Sequence, residues 1–116
     1  MAPSRFTELE GRDLSGVTFV RDYLQLQFDP PPSLNVYTPV VVRSGHTTAA
    51  LGTDSFPALL VAQVNKRVDR VHIRDEEELT ISFADGSGLT ISLRPCDYRG
   101  AEAINLFCAN GDIVVV

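Results

Sequence analysis

The sequence predicts an α+β fold: a mainly antiparallel, strongly bent sheet or partly open barrel made from two three-strand meanders, with one main helix over about residues 54–68. Three observations predict it. Apolar and polar residues alternate with a period of two in two separate regions, the pattern of strands with one buried and one wet face. One segment between those regions repeats its apolar residues at three- and four-residue spacing instead, as a helix does. Glycine- and proline-rich breaks separate the periodic runs.

Residues 1–16 are mixed and polar, and Phe6 and Leu9 suit either a helical turn or an edge strand. Val17 and Phe19 then alternate with Thr18, and Leu24, Leu26 and Phe28 alternate with Gln25 and Gln27 across a tight connection at Arg21-Asp22-Tyr23. Asp29-Pro30-Pro31-Pro32-Ser33 interrupts the ladder, because proline has no N–H to donate. Leu34, Val36 and Tyr37 resume a strand, Pro39 ends it, and residues 40–42 continue on a neighbouring edge. Residues 44–53, with two glycines, three threonines and His46, read as a loop.

In the helical segment, Asp54 or Ser55 can cap the first turn and Pro57 sits where a missing donor costs little. Phe56, Leu59, Leu60, Val64 and Val68 form its apolar stripe, with Lys66 and Arg67 at the end that favours cations. Val71 and Ile73 begin the second strand region, the acidic turn Asp75-Glu76-Glu77-Glu78 follows, and Leu79, Ile81 and Phe83 alternate with Thr80 and Ser82. Asp85-Gly86-Ser87-Gly88 is a hairpin signal, and Leu89, Ile91 and Leu93 return. Residues 101–107 are open between a short helix and a strand. Asn110-Gly111-Asp112 reads as a turn, and residues 113–116 as a last strand buried on both faces.

The two strand regions match at an offset of 55 residues: Leu24 with Leu79, Leu26 with Ile81, Phe28 with Phe83, Leu34 with Leu89 and Val36 with Ile91. Residues 1–116 therefore read as one domain with a duplication of 17–42 in 71–95, although two amphipathic meanders would resemble each other without common descent.

Length and composition bound the function. A chain of 116 residues buries roughly two-thirds of its unfolded surface and forms a core without staples. Acidic residues outnumber basic ones 15 to 10, a net charge of −5, and no basic run exceeds two residues, so nucleic acid is not an expected partner. The N-terminal stretch has no signal-peptide core and no apolar run could span a bilayer, which gives a cytoplasmic, membrane-free reading. Cys96 and Cys108 read as reduced thiols, since a secreted scaffold of this size carries more cysteines.

No metal-ligand spacing, phosphate-binding loop or nucleophile elbow occurs, and neither a cofactor nor a catalytic residue is expected. The most distinctive stretch is residues 94–103, which gathers Arg94, Asp97, Tyr98, Arg99 and Glu102, and tyrosine and arginine are favoured at binding hot spots. Those five, with His72 on a neighbouring strand, are the candidate binding residues. A plain crossover explains the same stretch: Asp97 caps a turn, Tyr98 fills a gap and Arg99 pairs with a nearby acid.

Leu89-Thr90-Ile91-Ser92-Leu93-Arg94-Pro95, followed by Asp97-Tyr98-Arg99-Gly100 and Glu102-Ala103, resembles a family of small uncharacterised bacterial proteins that reads Glu-Asp-Tyr-x-Gly-Pro-Glu-Ala here. Phe83-Ala84-Asp85-Gly86 also fits, and the likeness covers about a third of the chain. Cys96 stands in place of the glutamate and Ala101 in place of the proline. The resemblance implies a bacterial source and no assigned activity, and the missing glutamate tells against a catalytic role at that position.

Two functions follow as expectations. One is a non-enzymatic module that binds a protein partner or a second copy, with a toxin-neutralising immunity protein as one form. The other is a small-ligand or enzymatic domain, with Asp97, Tyr98, Arg99 and His72 lining a pocket between sheet and helix. The apolar final strand adds an expectation of a homodimer if it lies at an edge.

Overall fold

The computed structural model describes residues 5–29 and 31–116. Residues 1–4 and Pro30, part of the N-terminal stretch and of the proline interruption, lie outside them.

A 3-10 turn at Arg5–Leu9 opens the described chain and buries Phe6 and Leu9. The first meander is β1 (Gly16–Val20), β2 (Tyr23–Gln27) and β3 (Ser33–Val36), followed by the hairpin β4 (Val40–Ser44) and β5 (Thr47–Ala50). After α1 (Phe56–Val61) the pattern returns: the meander β6 (Val68–Arg74), β7 (Glu78–Phe83) and β8 (Gly88–Ser92), then the hairpin β9 (Ile104–Phe107) and β10 (Ile113–Val115).

The expected bent sheet or open barrel is instead two separate five-stranded sheets, ordered β1-β2-β3-β9-β10 and β5-β4-β8-β7-β6, every pair antiparallel. Each half keeps its meander in one sheet and sends its hairpin to the other. The alternation of the strands is unchanged by this, since either arrangement hides one face. The inward faces share one apolar cluster that includes Leu24, Leu26, Leu34 and Val36 from one sheet and Val42, Leu79, Ile81 and Ile91 from the other.

The positions matched at the 55-residue offset occupy equivalent places. Phe28 and Phe83 are both buried at strand ends, and their N–H groups close the following turns onto the carbonyls of Pro32 (3.1 Å) and Ser87 (2.8 Å). Descent of both halves from one ancestor is a proposal that this arrangement suits.

Four expectations need correction. The helix ends at Val61, not near 68. Beyond it the chain tightens, with the N–H of Gln63 bonded to Leu60 and that of Val64 to Val61, and Asn65 turns it through a positive φ of 77°. Leu14 then captures the segment through paired bonds with Asn65 (2.7 Å) and Lys66 (2.9 Å). Tertiary pairing thus overrides the helical stripe. Residues 44–53 contain β5 rather than a plain loop, and β4 is an interior strand between β5 and β8. Of the two forms open for residues 101–107, residues 104–107 take the strand, which is no correction. The final strand is an edge strand, not buried on both faces, with Ile113 and Val115 turned outward.

The outer faces differ. That of the β1-containing sheet carries no charged side chain: in register across it lie Thr18, Gln25, Asn35, Asn105 and Val115, and beside them Gln27, Ser33, Phe107 and Ile113. The other sheet turns Arg43, Arg70, His72 and Arg74 outward among serines, threonines and Glu78.

Two connections carry the chain between sheets, residues 37–39 and residues 93–103, and they bond to the strands they pass. The buried Thr38 hydroxyl donates to the Ser92 carbonyl (2.6 Å), the Ser92 N–H to the Pro39 carbonyl (3.0 Å) and the Tyr37 N–H to the Ala103 carbonyl (2.8 Å). At the opposite end Lys66 Nζ donates to Asp85 (2.7 Å) and Gln63 (2.9 Å), which fastens the chain after the helix to the β7–β8 turn.

Thr38→Val keeps the shape and removes the hydrogen bond of the buried Thr38 hydroxyl to the Ser92 carbonyl, so urea denaturation is expected to register a loss of about 1–3 kcal/mol. Lys66 and Ser87 hold the Asp85 carboxyl well below its usual range. A depressed folded value means that this contribution is complete above the ordinary carboxylate value and lost as pH falls through the folded one. Melting temperature is therefore expected to be less acid-sensitive in Asp85→Asn than in the native chain below about pH 4.

Candidate functional site

The second crossover is the longer one. Residues 37–39 suffice between β3 and β4, whereas residues 93–103 lie between β8 and β9. The extra length contains a 3-10 turn at Pro95–Asp97 and then the run Tyr98-Arg99-Gly100-Ala101-Glu102. Ser92 anchors it: its hydroxyl donates to Asp97 Oδ2 (2.5 Å) and accepts the Arg94 N–H (3.2 Å). Tyr98 packs against the core.

That anchoring carries residues 99–102 over the turn between β1 and β2. Asp22, Tyr37, Arg99, Gly100, Ala101 and Glu102 line a cavity of about 490 Å³. A groove of about 420 Å³ adjoins it and shares Asp22, Tyr37 and Arg99; its floor and walls include Phe19, Val20, Tyr23, Pro39 and Leu51.

Tyr37 is the common wall. Its ring lies against that of Tyr23, centroids 5.2 Å apart and planes tilted by 42°. Its hydroxyl accepts from the side-chain amides of Asn105 (3.2 Å) and Asn35 (3.4 Å) on neighbouring strands. Phe19 meets the helix edge-on, 6.3 Å from Phe56, yet remains 47% exposed; Leu51 across the groove is 42% exposed. Both are large apolar groups left in water at a concavity. Among the described residues, Asp22, Arg99 and Glu102 form no ion pair.

The candidate residues thus separate into three sets. Arg99 and Glu102 meet in the cavity. Asp97 and Tyr98 hold the segment in place, as the crossover reading expects, but among the described residues Arg99 finds no acid within ion-pair distance. Arg94 is exposed beside the 3-10 turn, and His72 is on the outer face of β6 in the other sheet, across from Thr80. The concavity lies between the crossover and the β1–β2 turn, not between sheet and helix.

Sequence reasoning missed Asp22, Tyr37, Phe19 and Leu51. Phe19 matched the strand alternation and was placed in the core; its position near the end of an edge strand leaves it half uncovered. Nothing local marks the other three, because the site joins segments far apart in the chain. Among the described residues no group of three or more His, Cys, Asp or Glu gathers in a way that could hold a metal ion, and no helix is long and apolar enough to cross a membrane.

Comparison with protein-family models, with curated proteins and with solved structures finds no match to this chain.

The cysteines report on the crossover and on the strand that follows it. Both are free: Cys96 is exposed in the 3-10 turn, and Cys108 is buried at the end of β9. Burial pushes the Cys108 thiol up, and the neighbouring Glu8 carboxylate adds to the shift. Burial would also raise Glu8, but the Ala109 N–H, the Cys108 thiol and the Arg12 and Arg5 guanidinium groups together hold it below its usual value. A thiol reagent is expected to modify Cys96 rapidly in the folded protein and Cys108 only on unfolding, since the thiolate is the reactive form. Rapid reaction at both would show that β9 and β10 open readily.

Proposed function

We propose that this chain is a non-enzymatic protein-interaction module whose partner docks at the groove and cavity beside Tyr37. The observation that carries this is the pairing of two half-exposed apolar side chains, Phe19 and Leu51, with charges that form no ion pair among the described residues, around one concavity. Binding hot spots take this form, with an apolar centre, tyrosine and arginine, and a polar rim. Here Arg21 and Arg99 stand near Asp22 and Glu102, so the rim carries both signs. The partner that fits is a protein segment with an apolar anchor flanked by charges of both signs. A toxin-neutralising immunity protein is one form of this reading.

A small ligand is the second reading. The cavity of about 490 Å³ favours it, since small-molecule sites commonly enclose about 300–1,000 Å³.

Affinity capture from the native cell, with the chain as bait, tests the first reading. Leu51→Asp and Arg99→Glu alter exposed side chains and are expected to leave the melting temperature unchanged. Each should weaken capture of the partner by at least about tenfold. Recovery of free chain alone, or a partner retained by both variants, would overturn the reading. A melting temperature raised by a small molecule in the native chain but not in Arg99→Glu would favour the second.

A further inference from the structure

The other notable surface is the free edge of β10. Two hydrogen bonds set the phase of its ladder with β9: Cys108 N–H to the Asp112 carbonyl (2.8 Å) and Val116 N–H to the Ile104 carbonyl (3.0 Å). In an antiparallel pair bonded and unbonded residue pairs alternate. Val114 therefore directs its N–H and C=O toward β9, while Ile113 and Val115 direct theirs away. Among the described residues no backbone or side-chain group from outside the strand meets them. The side chains of Ile113 and Val115 are 57% and 54% exposed.

Natural sheet edges are usually blunted by a charge, a proline, a bulge or a covering segment. At the far end of the other sheet β6 has such a cover, where the Glu10 carboxylate accepts the Val71 N–H (2.9 Å). β10 has neither charge nor proline, and its register with β9 is regular.

We propose that a second copy of this chain pairs antiparallel across β10, joining two five-stranded sheets into one of ten strands. A two-fold axis at Val114 places Ile113 opposite the partner's Val115 and Val115 opposite the partner's Ile113. All four outward backbone groups on each copy then find partners, in four hydrogen bonds. The exposed isoleucine and valine side chains meet on one face, the sheet's uncharged outer face.

Charge also permits this edge. Each copy carries a net charge of −5, so two copies repel except where charged side chains are absent. The outer face that ends at β10 has none. Asp112, the residue before the strand, is paired with Arg5 at 3.3 Å, which offsets its charge where it comes opposite the partner's Val116. The contact uses a strand of three residues and is far smaller than a permanent dimer interface, so the association is concentration-dependent. It does not depend on the groove beside Tyr37.

Sedimentation of the full chain from low-micromolar to millimolar concentration tests this. The average mass is expected to rise from 12.7 kDa toward about twice that value. Ile113→Lys and Val115→Lys change outward side chains only and should weaken association at least about tenfold with an unchanged melting temperature. Amide exchange at Ile113 and Val115 should slow as concentration rises. A monomer throughout the range overturns the proposal. So does association that survives both substitutions while those two amides exchange freely.

Discussion

The arrangement depends on how two connections pass between the sheets. Each half of the chain sends its hairpin across, so residues 37–39 and 93–103 must leave one sheet and enter the other at the margin of a common core. Backbone polar groups at such a place need partners. Thr38, Pro39 and Ala103 supply them, through the Ser92 carbonyl, the Ser92 N–H and the Tyr37 N–H. Thr38 is one of few buried polar residues, and its hydroxyl is committed to this contact. These bonds extend the β4–β8 and β3–β9 ladders into the crossovers.

The candidate site arises where the two halves cease to match. Both crossovers perform the same task, but the second has eight residues more, and that excess walls the cavity. Ser92 turns the surplus into a defined surface by holding Asp97, and Tyr98 plugs it against the core. Arg99 and Glu102 are then displayed over Asp22 and Tyr37. Position and rigidity come from residues that resemble structural filler, while the exposed members face the solvent-filled space.

Much of the local structure was legible because a period of two is a property of adjacent residues. Leu24, Leu26, Leu79, Ile81, Leu89 and Ile91 are buried as their alternation requires. The turns at Gly86 and Gly111 adopt positive φ, the conformation their glycines suggest. The readings that failed are those in which a distant segment competes with local preference. Leu14 ended the helix early by pairing with Asn65 and Lys66. Thr47–Ala50, poor in large apolar residues, became a strand because β4 offered an edge. Of the site, Arg99 and Glu102 were marked by their unusual stretch, whereas Asp22 sat in an ordinary tight turn and Tyr37 at a strand end.

The sequence by itself determined that the strands exist, which side of each meets the core, and that the chain is acidic and free of recognised catalytic spacing. Tertiary structure alone decided which sheet each hairpin joins, that β10 is left at an edge, and that Tyr37, Asp22 and Arg99 face one space. The physical reason is that burial depends on a residue's own polarity and its neighbours' phase, which are written locally. Pairing depends on which of several equally apolar strands is reached first without stranding a backbone group. That choice is made by hydrogen bonds such as Thr38 to Ser92, between residues 54 positions apart.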